Sequence, residues 1–168
     1  MEIGSNQPTE SDCSELQMLV TRMDVVFVGQ YRRSIDEKGR IAVPSELRSA
    51  LGPGAMLTRG FDGCLCIYPA STWHALAQAV EELPDMRYEA RTAARALFSG
   101  AVPCAFDRQG RVAIPAFLRD HAALNGDAMI VGVGNRVEIW SRSSWLQEHG
   151  IIQSEGRRLA EALAASQA

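Results

Sequence analysis

Alternating apolar and polar residues predict strands in two parts of this chain. Ile41 and Val43 share one face of a short run, and Val112 and Ile114 share one face of a second run. Because successive side chains of a strand point to opposite faces, each run predicts a half-buried strand. Residues 27–35 predict a further strand before the first run.

The two runs belong to a repeat. Residues 36–48 (DEKGRIAVPSELR) match residues 107–119 (DRQGRVAIPAFLR) at a spacing of 71 residues. After one inserted residue the match continues, and four residues of the first copy fall on counterparts in the second: Gly60 on Gly132, Ile67 on Ile139, Tyr68 on Trp140 and Trp73 on Trp145. A period this long is too large for a solenoid and predicts two copies of one supersecondary unit, each ordered as strand, turn, strand, short helix and hairpin.

Helices are predicted between and after the copies. The first begins at Trp73, with Ser71 or Thr72 as its cap, and ends at Pro84, whose ring cannot continue a helix. A second helical segment covers 86–98. Ser144 is expected to open a C-terminal helix that is interrupted at Gly150. The predicted class is therefore β-rich α+β.

The composition is that of a soluble globular protein. The chain has 168 residues, of which 46% are hydrophobic and 22% charged. We expect a cytoplasmic protein, because no apolar stretch is long enough for a membrane and no secretory signal begins the chain. Cysteines 13, 64, 66 and 104 follow neither a disulfide framework nor a zinc-binding spacing. Cys64 and Cys66 share one face of a strand, where we expect small core side chains rather than metal ligands.

Charge is unevenly distributed along the chain, whose formal net charge is −3. Residues 1–24 contain five acids and one arginine, and we expect 1–22 to form a disordered acidic leader. Met23, which follows it, could be a shorter natural start. Residues 31–59 contain six bases and three acids. The first repeat is therefore a basic face on an acidic chain and is expected to dominate any contact with phosphate.

The turns between the first two strands of each copy combine geometry with charge. Asp36 and Asp107 stand where a type I turn prefers aspartate, and a glycine follows three residues later. Strand alternation then directs Arg40 and Arg111 away from the apolar face. The alternative interpretation is a tight turn with an ordinary aspartate–arginine contact.

These motifs carry a family resemblance. The run FVGQY at 27–31, the two DxxGR turns and GVGNRVEIW at 132–140 resemble the MraZ family of AbrB-like transcription factors, over about residues 23–145. The resemblance implies two tandem swapped-hairpin units that form one pseudo-twofold barrel with peripheral helices. The implied organisation is the leader at 1–22, repeats at 27–73 and 102–145, a helical linker at 74–101 and a C-terminal helix or tail at 146–168.

The resemblance also implies a function. It predicts a ring-shaped homo-oligomer that binds double-stranded DNA at direct repeats in the promoter of its own division and cell wall operon, as a nucleoid-associated repressor. The DxxGR loop faces DNA in the family, which nominates Lys38, Gly39 and Arg40, then Gly110 and Arg111. Gln109 stands where the first turn has Lys38, so the second turn departs from the first.

The residue types suggest how such a surface would read DNA. We expect Lys38, with Arg32 or Arg33, to contact phosphates and Arg40 to read a guanine edge. No cofactor, metal, membrane or small-molecule substrate is expected, and the scattered histidines do not indicate an enzyme. Two alternatives remain open. An AbrB-type antitoxin would carry a disordered toxin-binding tail, and a structural assembly protein would form oligomers without binding DNA.

Overall fold

The computed structural model describes residues 26–166, and the predicted leader at 1–22 and the start at Met23 lie outside this range. The described chain contains eight strands: β1 Gln30–Ser34, β2 Arg40–Ala42, β3 Met56–Arg59, β4 Leu65–Tyr68, β5 Val102–Pro103, β6 Arg111–Ala113, β7 Asp127–Gly132 and β8 Val137–Ser141. Five helices accompany them: α1 Ser45–Leu51, α2 Ala70–Glu81, α3 Tyr88–Ser99, α4 Ala116–His121 and α5 Arg142–Ser166. The predicted α+β class is confirmed.

Strands of the two repeats interleave. Six of them form an antiparallel sheet in the order β1-β7-β8-β4-β3-β5, and β2 pairs with β6 in a separate two-stranded ribbon. Strand β1 of the first repeat pairs with β7 of the second, while β5 of the second pairs with β3 of the first. Neither repeat therefore completes its sheet alone.

Two pairs of facing residues locate a pseudo-twofold axis. In the ribbon, Ile41 lies opposite Val112, which is its own counterpart in the second repeat. In the sheet, Cys66 lies opposite Glu138, and these two are again counterparts after the one-residue slip. A residue that faces its own equivalent lies at a symmetry axis, so the axis runs through both the ribbon and the seam between β4 and β8.

Both repeats contribute to one main core. The predicted inward faces are confirmed, since Ile41, Val43, Val112 and Ile114 are buried there with Leu118. Strand alternation sends the neighbouring side chains to the opposite face of the sheet, where a smaller cluster forms from Cys64, Cys66, Val131 and Trp140. Trp145 of α5 packs against this second cluster and covers it.

The predicted closed barrel is not found among the described residues. Strands β1 and β5 are the two edges of an open sheet, and the ribbon is hydrogen-bonded separately from it. Strand β5 is only two residues long and ends at Pro103, which has no N–H to donate. The sheet therefore ends at β5, and no further strand of the described chain pairs with that edge to close a barrel.

Several predicted boundaries differ from the structure. The strand expected at 27–35 begins only at Gln30, because Gly29 adopts a φ of +90° and separates it from an isolated bridge at Phe27. Helix α2 begins at Ala70 rather than Trp73, since the Pro69 carbonyl accepts the first helical bond from the Trp73 amide at 2.9 Å. The expected caps Ser71 and Thr72 are instead inside the helix.

The prediction of a break at Gly150 was wrong. Helix α5 runs without interruption from Arg142 to Ser166, and Ser141 rather than Ser144 provides its cap, its Oγ accepting the Ser144 amide at 3.2 Å. One glycine costs a helix only about 1 kcal/mol relative to alanine, which the surrounding turns can offset. Within residues 26–166, no helix has the length and apolar character needed to cross a bilayer.

Candidate nucleic-acid interface

The two DxxGR turns, which we call the tips (36–40 and 107–111), have the same local geometry. In the first, the Gly39 amide donates to the Asp36 carbonyl at 2.9 Å, and Asp36 Oδ1 accepts the amides of Lys38 and Arg40 at 2.9 and 3.0 Å. The second tip repeats these bonds around Asp107. Gly39 and Gly110 both adopt a φ of +74°, a conformation that favours glycine. Each aspartate lies at the first position of a hydrogen-bonded turn.

Each tip is tied to the opposite repeat. The Gly110 carbonyl accepts the Val43 amide at 3.0 Å, and the Gly39 carbonyl accepts the Ile114 amide at 2.9 Å. These bonds extend the ribbon past β2 and β6. Because β2 and β6 are antiparallel, the tips lie at the two ends of this short ribbon and flank the pseudo-twofold axis.

An arginine from the opposite repeat covers each tip glycine. A Cβ on Gly39 would lie 2.0 Å from Nη1 of Arg119, and a Cβ on Gly110 would lie 2.5 Å from Cζ of Arg48. Arg48 donates from Nε to the Val43 carbonyl at 2.9 Å, and Arg119 donates from Nη1 to the Ile114 carbonyl. The two arginines are counterparts at the 71-residue spacing. Each braces the tip of the other repeat, and we call them the brace arginines.

The tip arginines and aspartates form a four-charge ring across the axis. Arg40 Nε lies 2.8 Å from Asp36 Oδ2, and Arg111 Nε lies 2.9 Å from Asp107 Oδ2. Longer contacts cross between the tips, from Arg111 to Asp36 at 3.6 Å and from Arg40 to Asp107 at 4.0 Å. The aspartate–arginine contact that the sequence left open is thus present in both tips. Arg40 and Arg111 are not free outward cations, although their side chains remain 28% and 26% exposed.

The ring carboxylates remain ionised more readily than ordinary ones. Hydrogen bonding from the Arg40 backbone amide, together with the Arg40 side chain and the Lys38 amide, lowers the pKa of Asp36 below its usual value of 3.8 despite opposing desolvation. The pKa of Asp107 is lowered in the same way, first by the Arg111 backbone amide. Negative charge is therefore fixed at the base of each tip, where it holds an arginine.

The exposed positive charge at the tips lies elsewhere. Lys38 projects from the first tip next to exposed Glu37, and Arg108 projects from the second tip. Counting formal charges, the first tip is neutral and the second carries one positive charge. The second tip therefore has at least as much cationic character as the first, and dominance of the first repeat in phosphate contact stays a prediction.

The other nominated arginines lie on the sheet rather than on a tip. Arg32 of β1 pairs with Asp127 of β7 at 2.5 Å, and Arg142 also approaches that carboxylate, at 3.5 Å. Arg33 extends over the ring of Tyr31, with Cζ 5.8 Å from the ring centroid. Lys38, Gly39, Arg40, Gly110 and Arg111 are therefore brought together, whereas Arg32 and Arg33 are not part of that group.

Sequence reasoning missed the brace arginines and Arg108. Arg48 and Arg119 carried a usable signal, because both end the repeated block at the same position, but only the fold shows that each covers the other repeat's glycine. Among the described residues, neither forms a salt bridge with a carboxylate. Both consequently add positive charge beneath the tips.

Comparison with known proteins gives a consistent picture. The family model described as "MraZ protein, putative antitoxin-like" matches residues 26–96 and again 97–162. Proteins named "Transcriptional regulator MraZ" are similar over most of their length. The one from Heliobacterium modesticaldum is 48% identical over 120 residues, which cover 71% of this chain and 84% of the relative. Those from Natranaerobius thermophilus and Pelotomaculum thermopropionicum are 42% and 45% identical over 136 residues, which cover 81% of this chain and 95% and 94% of the relatives.

Proposed function

Because the chain belongs to the MraZ family, we propose that it is a sequence-specific DNA-binding transcriptional regulator that represses its own division and cell wall operon by binding direct repeats in the promoter. The observation that carries the proposal is the placement of the two tips on either side of the axis in one ribbon, with Lys38 and Arg108 exposed beside the four-charge ring. A two-stranded ribbon fits the major groove of B-form DNA.

The ring prepares Arg40 for base recognition. Asp36 holds the guanidinium through Nε, which leaves the terminal nitrogens of the fork for another acceptor. Guanine presents two acceptors, O6 and N7, at a spacing that suits an arginine fork. Arg111 is held identically by Asp107 and would serve the second tip. The ion pairs thus orient the reading side chains, as preorganised groups do at binding sites.

Exposed cations would provide the affinity. Lys38 and Arg108 contact phosphates on either side of the groove, and the brace arginines add potential beneath them. Such contacts release counterions from DNA, so binding weakens steeply as salt rises. They set the position of the tips on the duplex without selecting a sequence.

A single pair of tips cannot select a promoter, since one good bidentate contact contributes about 1–3 kcal/mol of discrimination. We therefore include a homo-oligomeric ring in the proposal. Several chains on regularly spaced repeats make each later contact intramolecular, which raises its effective concentration. The proposal places the protein in the cytoplasm, associated with the nucleoid.

An electrophoretic mobility shift assay with DNA from upstream of the protein's own gene tests the proposal. The wild-type protein should retard a fragment with intact direct repeats and not one with scrambled repeats, and Arg40→Ala should lose that retardation. Arg158→Ala is the matched control, because it removes the same charge from exposed α5. Equal affinity of Arg40→Ala and wild type would end the assignment of Arg40 as a reading residue.

The same assay separates the two alternatives. A structural assembly protein would form salt-independent oligomers that retard no DNA. An antitoxin was expected to have a disordered toxin-binding tail, whereas residues 142–166 form the helix α5. The antitoxin-like description of the family thus finds no support in this part of the chain.

A further inference from the structure

Three buried side chains with metal-binding atoms meet at the seam between the two repeats. Cys64 immediately precedes β4, Cys66 lies within it, and Glu138 lies directly opposite Cys66 on β8. The two sulfurs and one carboxylate oxygen all lie within 4.8 Å of one another. The three residues are only 1%, 3% and 7% exposed. This group belongs to the six-stranded sheet, whereas the tips belong to the separate two-stranded ribbon.

Gly60 leaves room for the two sulfurs. A Cβ at this position would lie 2.4 Å from Cys64 Sγ and 3.1 Å from Cys66 Sγ. The φ of Gly60 is outside the left-handed region, so its backbone does not require glycine. The space that a side chain would fill is instead occupied by the thiol pair.

The carboxylate is oriented by two donors. Trp140 Nε1 donates to Glu138 Oε2 at 2.9 Å, and Arg136 Nε donates to Oε1 at 3.0 Å. Arg136 Nη2 also lies 2.8 Å from Oε1, so Oε2 is the oxygen that retains a lone pair for a further partner. Metal-binding carboxylates are commonly held by outer hydrogen bonds of this kind, which fix their direction.

From this geometry we propose that Cys64, Cys66 and Glu138 bind a divalent thiophilic cation, namely Zn²⁺. Zinc accepts thiolate sulfur and carboxylate oxygen in a tetrahedral arrangement, and a solvent-derived oxygen completes the fourth position. Binding displaces the two thiol protons, which pass to solvent. Two thiolates, one carboxylate, the zinc ion and the Arg136 guanidinium then sum to zero charge, so the buried site is electrically balanced.

The bound ion links the two repeats. Its thiolate ligands come from the first repeat and its carboxylate from the second, so zinc closes the β4–β8 seam beside the pseudo-twofold axis. Metal that binds the folded chain and not the unfolded one stabilises the fold, and the stabilisation grows with the logarithm of free metal concentration above Kd. The site thus has a structural role that does not depend on DNA.

Cobalt substitution tests the site in the full chain, stripped of metal with a chelator and kept reduced. One equivalent of Co²⁺ should produce a sulfur-to-cobalt charge-transfer band that one equivalent of Zn²⁺ removes. The matched control is Cys13→Ser/Cys104→Ser, which keeps only the two thiols of the cluster and should retain the full band. Cys66→Ser should lose the band, and Glu138→Gln should weaken Co²⁺ affinity at least tenfold.

Thermal unfolding provides a second readout. Zn²⁺ at one equivalent should raise the Tm of wild type and of the double-serine control, but not that of Glu138→Gln. Failure of wild type to give the band or the Tm shift would overturn the proposal without any variant. Persistence of the band in Cys66→Ser, or a Cys64–Cys66 disulfide that survives treatment with a thiol reductant, would overturn it as well.

Discussion

Ile41 lies directly opposite Val112 in the ribbon, and the two residues hold the same place in the two repeats. Both are buried, at 0% and 1% exposure. The halves of the chain therefore meet at equivalent residues and share one core. The antiparallel ribbon built on this pair places one tip on each side of it.

Truncation of Ile41 should destabilise both repeats together. Ile41→Ala is expected to lower the free energy of unfolding by about 2–5 kcal/mol, because it leaves a cavity in the shared core. Denaturant unfolding, followed by circular dichroism and by tryptophan fluorescence, should still give one transition. Ile152→Ala on the surface of α5, where the side chain is 49% exposed, is the control and should change stability by no more than about 0.5 kcal/mol. Two separate transitions would contradict a shared core.

Removal of a brace arginine should loosen the tip of the opposite repeat. Arg119→Ala uncovers Gly39 and leaves the Ile114 carbonyl without its side-chain donor. We expect faster hydrogen exchange at the amides of Lys38 and Gly39, and a loss of about 1–3 kcal/mol in unfolding free energy. The amides of Gln109 and Gly110 should keep their protection, since Arg48 braces that tip.

Arg48→Ala is the mirror experiment and should reverse this pattern. Arg119→Lys keeps the charge but not the planar fork. Its tip amides should therefore be less protected from exchange than those of the wild type. Exchange that accelerates in the same repeat as the mutation would show that the bracing does not cross between repeats.

The two ring carboxylates should make folding sensitive to acid. Their folded-state pKa values are below the usual 3.8, so their contribution to stability is complete above that value and is lost as pH falls through the folded values. The double variant Asp36→Asn/Asp107→Asn should be less stable at neutral pH and should lose less stability on acidification. Unfolding free energies from neutral pH to below 3.8 measure the difference. Glu161→Gln, in an exposed pair on α5, should leave the slope unchanged.

Both tips should contribute to the salt dependence of DNA binding. Lys38→Gln and Arg108→Gln each remove one exposed cation, and each should reduce the slope of log affinity against log salt by about 1. Fluorescence anisotropy with a promoter duplex at several salt concentrations gives both slopes. Arg158→Gln, on α5, should leave the slope as in wild type. A change with Lys38→Gln alone would contradict the contribution of the second tip and support the expectation that the first repeat dominates.

Local patterns predicted the parts of the fold that depend on local chemistry. The tips follow from Asp36 and Gly39 with their counterparts, and the buried faces follow from alternation around Ile41 and Val112. The brace between Arg119 and Gly39 could not be predicted, because it joins residues 80 positions apart through a fold that the turn motif does not encode.

The charge of the tips was misjudged for a related reason. Alternation correctly separated Arg40 from the apolar face, but it could not show that two tips would share four charges. Cys66 and Glu138 likewise meet only because β4 pairs with β8. The prediction of a break at Gly150 was wrong because it considered the low helix propensity of one glycine and not the stabilising helical turns on both sides of it.

The fusion of both tips into one chain has a further consequence. A dimer of identical hairpins would bind a duplex equally well in either orientation, and such symmetric proteins bind palindromic sites. This chain carries DEKG on one side of the axis and DRQG on the other, so reversing it exchanges unlike side chains. A reader with this polarity distinguishes the two directions of a duplex, which is what head-to-tail target sites require.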